Sequence, residues 1–162
     1  MNNETRTSSP AEFHLEVKEN GTRAAGLISA GSGLSMGQTK RAMTNGAVWL
    51  TRGRKTHRLR RATRELRGGD TVHVYYDERV LSATAAPPLL IADEGGYSVW
   101  DKSAGLLSQG SKWGDHCTVV RYAEQNLTPQ RTGFIVHRLD RAASGLMLIA
   151  HHKRYAAALS DR

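Results

Sequence analysis

One cysteine, Cys117, stands among 162 residues. It has no partner for a disulfide and cannot build a cysteine-based zinc site, so it reads as a reduced structural residue. Long apolar runs are missing too: nothing approaches the roughly 18 residues that a membrane helix needs. The opening MNNETRTSSP is polar and has no secretory-type hydrophobic segment. These absences exclude spanning and exported readings and lead to the expectation of a cytoplasmic chain.

Several chemical motifs are absent as well. Gly31, Gly33 and Gly37 form G-x-G-x-x-x-G, one residue too long for a dinucleotide fingerprint and without a proper strand before it, and there is no Walker loop. His151 and His152 are adjacent, face opposite ways on a strand and have no partner at metal spacing. They read as surface residues, and no metal is expected. Ser103 and Ser108 lack a nucleophile-elbow context, which leaves no hydrolase triad.

What is present is a globular composition, 39% hydrophobic, long enough for one ordinary domain or two small ones. The net charge of +8 is unevenly placed. Residues 36–79 hold eleven Lys and Arg against four Asp and Glu, and the flanking segments are close to balanced. Lys40, Arg41, Arg52, Arg54, Lys55, Arg58, Arg60 and Arg61 are the candidate contacts to a polyanion, with Arg64 and Arg67 in the same run. Phosphate contacts from such side chains supply most nonspecific nucleic-acid affinity. A solvated basic face is the plainer alternative. A membrane surface fits less well, because the segment has no apolar face.

Patterning divides the chain. Residues 1–11 are polar and aperiodic and are expected to be disordered. FHLEVKE alternates as a strand; Thr22 is placed to cap a helix through about Ser29; SMGQTKRAMTNG reads as a second helix ending at Asn45-Gly46, with Met36, Thr39 or Lys40, and Met43 at helical spacing. AVWLT and the basic run suggest a hairpin, and TVHVYYD a further strand. Ala85-Ala86-Pro87-Pro88 marks a domain boundary. Beyond it, PLLIADEGGYSVWDKSAGLLSQG suggests two short strands around an acidic Gly-Gly turn, CTVVRYAEQNL a helix, FIV and GLMLIA buried strands, and RYAAALSDR the start of another helix.

Between those last strands lies HRLDRAAS, where Asp140 sits between Arg138 and Arg141. Nearby positive charge favours the ionised carboxylate, which suits a nucleophile or base better than an acid. For an arbitrary string of this kind, a surface Arg–Asp ion pair is the simpler reading.

HRLDRAASGLMLIA closely resembles the signature of the RluA family of RNA pseudouridine synthases, and DKSAGLLSQGSKWGD resembles that family's earlier segment, usually N-K-P-A-G-L followed by a loop and G-D. KRAMTNGAVWL, the basic hairpin and GGDTVHVYYD are similar to the alpha-L RNA-binding module at the N-terminus of many members. The resemblance implies an α+β fold: a small alpha-L RNA-binding domain at residues 12–86, then at 87–162 the N-terminal part of a mixed, mainly antiparallel synthase domain. It implies Asp140 as the catalytic residue, Arg138 as the residue filling the gap left by a flipped uridine, and His137 and Arg141 beside them at the substrate. Structured RNA, ribosomal or transfer, is the implied partner, and no cofactor is implied. Lys102-Ser103-Ala104 departs from the usual Lys-Pro-Ala. The family's catalytic tyrosine and later basic residue have no counterpart in the sequence, so the chain reads as the first part of a synthase, poorly active alone. The alternative from another class is an inert RNA-binding fragment of the alpha-L type.

Overall fold

The computed structural model describes residues 9–161, which divide into two compact units. The first runs to Ala83 and takes in Lys112–Gly114; the second comprises Thr84–Ser111 and the chain from Asp115. The disorder expected for residues 1–11 falls, up to Ser8, outside the described residues. From Ala11 the chain is a strand.

The first unit is built from β1 (Ala11–Glu16), β2 (Thr22–Arg23), α1 (Ala24–Ser32), α2 (Met36–Thr44), β3 (Val48–Arg52), β4 (Lys55–Arg58), β5 (Glu65–Leu66), β6 (Thr71–Tyr76) and the single turn α3 (Glu78–Leu81). The sheet is antiparallel in the order β1-β6-β3-β4, with a small β2–β5 pair beside it. Strand alternation turns Val48, Leu50, Val72 and Val74 inward, where Ile28 of α1 and Ala42 and Met43 of α2 complete the core. The start of α2 is fixed by a capping box: Ser35 Oγ accepts from Gln38 N at 3.2 Å, and Gln38 Oε1 accepts from Ser35 N at 2.9 Å. Of the residues expected on its apolar side, Thr39 and Met43 are buried, but Met36 is exposed.

The cap expected at Thr22 is corrected. Arg23 occupies that position with no side-chain cap, and Thr22 Oγ1 donates instead to Glu19 O. The first amides of α1 are satisfied by a distant loop: Ala24 N donates to Arg64 O and Ala25 N to Ala62 O. With backbone acceptors supplied there, no capping side chain is needed.

The second unit contains β7 (Leu89–Asp93), β8 (Tyr97–Lys102), α4 (Val119–Asn126), β9 (Phe134–Ile135), β10 (Gly145–Ala150) and α5 (Lys153–Ser160). Its sheet is antiparallel in the order β7-β8-β10-β9. Trp100, Met147 and Ile149 pack against Val119 and Ala123 of α4, and the Trp100 and Tyr122 rings meet edge to face at 5.7 Å. The expectation of buried strands is corrected here. Phe134 and Ile135 are half-buried, and along β10 Met147 and Ile149 are buried while Leu146 is exposed, the alternation of a strand packed on one face.

His151 is corrected too. It is buried, not at the surface: Nδ1 donates to Thr132 O at 2.9 Å, and Nε2 accepts from Ser98 Oγ at 2.8 Å. Burial pushes its pKa below the ordinary histidine value. Its neighbour His152 is exposed, as expected. No helix among the described residues is long and apolar enough to cross a membrane.

Candidate active site and nucleic-acid interface

The loop between β9 and β10 carries His137, Arg138, Asp140 and Arg141, and Leu139 anchors it. The Leu139 side chain packs on the core of the second unit. Its backbone is held at both ends by Ser108, whose hydroxyl donates to Leu139 O at 2.6 Å and accepts from Leu139 N at 3.0 Å. With Leu139 turned inward, extended-chain alternation leaves Arg138 and Asp140 on the outside, and both are exposed. A turn follows, closed by Ala143 N donating to Asp140 O at 3.0 Å. Among the described residues, Asp140 forms no ion pair with Arg138 or Arg141. The surface-pair alternative therefore finds no support in the geometry.

His137 points back into the fold. Its Nε2 accepts from Leu148 N at 3.0 Å, which assigns the ring proton to Nδ1 and ties the loop to β10. Arg141 is exposed, and its carbonyl accepts from Gly105 N at 2.7 Å, joining the loop to the segment after β8.

Lys102, read in the sequence only within Lys102-Ser103-Ala104 and given no role there, lies beneath this loop and is wholly buried. Its ammonium donates to Ala143 O at 2.5 Å, Ser103 O at 3.1 Å and Arg141 O at 3.3 Å, so one buried charge holds the loop from below. Burial pushes its pKa below the ordinary lysine value, and the Asp140 charge partly offsets that shift. The signal was in the strand pattern, because Ser98, Trp100 and Lys102 share the buried face of β8. Ser108 was dismissed as a nucleophile, and its part is to fix Leu139. Cys117 is half-buried, and burial raises its thiol pKa, with the Arg141 charge acting the other way. An unactivated thiol agrees with a structural residue.

The basic residues of the first unit separate into two groups. Arg41 donates to Glu78 Oε1 at 2.6 Å and also reaches the Tyr76 hydroxyl. Arg52 makes a two-point pair with the buried Asp70, Nε–Oδ1 at 2.8 Å and Nη2–Oδ2 at 2.7 Å. Arg58 lies 4.2 Å over the Trp49 ring and donates to Gly46 O. These three brace the fold. Lys40, Arg54, Lys55 and Arg61 are exposed, and the half-buried Arg60 donates to Thr44 O at 3.3 Å.

The second unit thus combines an antiparallel sheet with an outward carboxylate on a braced loop, and the first unit carries a strongly basic segment. Residues 96–162 match the family model described as RNA pseudouridylate synthase. The match contains β8, Lys102 and the whole Asp140 loop. The match covers 67 of the 162 residues, so for that stretch the resemblance read from the sequence is supported at the level of the family, an isomerase family acting on RNA. Comparison with curated proteins gives no match.

Proposed function

We propose that the protein converts uridine to pseudouridine in structured RNA of the ribosomal or transfer type, in the cytoplasm, with Asp140 as the catalytic carboxylate. The observation that carries the reading is the Asp140 loop: a carboxylate held outward by the inward-packed, half-buried Leu139, left unpaired by its flanking arginines and braced from below by Lys102.

The reaction breaks the C1′–N1 bond and forms C1′–C5; the C5 proton is lost and N1 regains one, so no atoms or electrons are gained overall. The reacting atoms are hidden in a stacked helix, so the nucleotide must first be extruded. Arg138, exposed two residues before Asp140, takes the gap that this leaves. Asp140 then meets the flipped nucleotide as nucleophile or base, roles that both require the ionised form. Arg141 supplies a cation to the phosphate next to the flipped nucleotide, and His137 keeps the loop in register with β10. Residues 12–86 serve as the RNA-holding module of the alpha-L type, with Lys40, Arg54, Lys55, Arg60 and Arg61 turned to phosphate, and Arg41, Arg52 and Arg58 supporting them.

The test uses the full product of the reading frame. It is incubated with ribosomal and transfer RNA, which are then digested to nucleosides and separated by chromatography. The expected outcome is loss of uridine matched by an isomer of equal mass and different retention. A new nucleoside of altered mass, or none, would contradict the proposal.

A further inference from the structure

A recess of about 550 Å³ opens on the first unit between the Asn20-Gly21 turn and the loop 61–67, lined by Arg52, Arg61, Arg64 and Arg67. That volume falls within the range of ligand sites and exceeds what a single phosphate group needs. The sequence offers no reason to set this place apart from the rest of the basic run. The fold does.

The walls are fixed by main-chain bonds. Gly21 N donates to Leu66 O at 2.9 Å, Gly68 N to Asn20 Oδ1 at 2.9 Å, and Arg64 N to Arg61 O at 3.0 Å. The carbonyls of Ala62 and Arg64 are tied to the start of α1. On one side Asp70, itself buried, grips Arg52 by two points and accepts from Arg67 N at 2.8 Å, so its negative charge is spent inside the fold. Arg61, Arg64 and Arg67 are exposed, and among the described residues their side chains make no ion pair. Glu65 is the single carboxylate in the lining left without such neutralisation, so cations outnumber it three to one. Three guanidiniums at intervals of three residues on a pinned loop form a preorganised site for phosphate, since each offers a planar fork of donors to its oxygens.

We propose that this recess is a phosphodiester subsite that grips consecutive phosphates of an RNA strand, separate from the hairpin tip at Arg54 and Lys55. The inference deepens the RNA-binding reading above and rests on it. In it, Arg64 and Arg67 contact phosphate, Arg61 assists, and Arg52 is the neutralised floor.

The test compares two double variants that lose the same charge, Arg64→Gln with Arg67→Gln in the recess and Arg54→Gln with Lys55→Gln at the hairpin tip. Each is titrated in the full chain with a labelled RNA hairpin across a salt series. The recess variant is expected to bind at least about tenfold more weakly than the tip variant at 0.1 M salt. Its slope of log affinity on log salt should fall by about 1.5 from the parent value, the release expected for two lost phosphate contacts. Ethylation of individual phosphates should interfere with parent binding at two neighbouring positions, and that interference should vanish in the recess variant alone. Equal losses in the two variants would overturn the proposal and leave RNA binding as a general charge effect. Displacement of the RNA by micromolar inorganic pyrophosphate or a mononucleotide would overturn it in favour of a small-molecule site. Failure of the parent to bind any RNA would remove the underlying reading itself.

Discussion

Lys102 and Asp140 act on the same loop from opposite sides, one buried and one exposed. Replacing Lys102 by methionine keeps most of the side-chain volume and leaves the Ala143 carbonyl without its donor, while the carbonyls of Ser103 and Arg141 lose one of two and keep Leu106 N and Gly105 N. The second unit should lose about 2–3 kcal/mol, read from a denaturant midpoint, because buried acceptors stripped of a partner carry their full desolvation cost. The variant should also change the alkaline behaviour. A lysine whose pKa is depressed by folding binds more protons when unfolded, so it makes stability rise with pH between its lowered folded value and 10.5. Lys102→Met should flatten that rise. The position was legible in sequence as a member of the inward face of β8, but its purpose was not, since its acceptors lie as much as 41 residues downstream.

Asp70 shows the opposite sign in the first unit. Its pKa is held below 3.8, chiefly by the hydrogen bonds from Arg52, against the effect of burial. Its contribution to stability is therefore complete above about pH 4 and is lost as pH falls through the folded value. Asp70→Asn should lower first-unit stability at neutral pH and narrow the difference from the parent below pH 3, as followed by an acid titration of hydrogen exchange in β3 and β6. A difference that does not shrink in acid would mean that the Arg52 pair is not the cause.

At the scale of elements, local patterns located most strands and helices, though not which of their residues are buried, as Met36, Leu146 and His151 show. Alternation located β1 and β6, short apolar runs bounded by turns located β3 and β8, and helical spacing located α2. What failed depended on distant partners. The start of α1 was misassigned to Thr22 because its amides are satisfied by carbonyls at 62 and 64, and β2 and β5 exist only by pairing with each other. No window of a dozen residues contains both sides of such a bond. Ile28, wholly buried where α1 meets the first core, provides a test of that packing. Ile28→Ala should cost about 3–4 kcal/mol. Exchange should quicken at amides of β3 and β6, with those of β8 and β10 as the internal control, since the two cores share no residue.

Over the whole molecule, a net charge of +8 leads to the expectation that the proposed association with RNA is steeply salt-dependent. The catalytic claim, however, rests on a single carboxylate. It was visible in the sequence through its signature and not through any principle of charge, because an aspartate between two arginines is ordinarily half of an ion pair. The most direct test is release of tritium from carbon 5 of uridine-labelled RNA, with the full reading-frame product and its Asp140→Asn variant compared at matched RNA occupancy. The amide keeps the shape of the side chain and removes its charge, so the account predicts release by the parent, none above background from the variant, and RNA affinities within about twofold of each other. Release by Asp140→Asn at near the parent rate would contradict the account and reduce Asp140 to a structural residue.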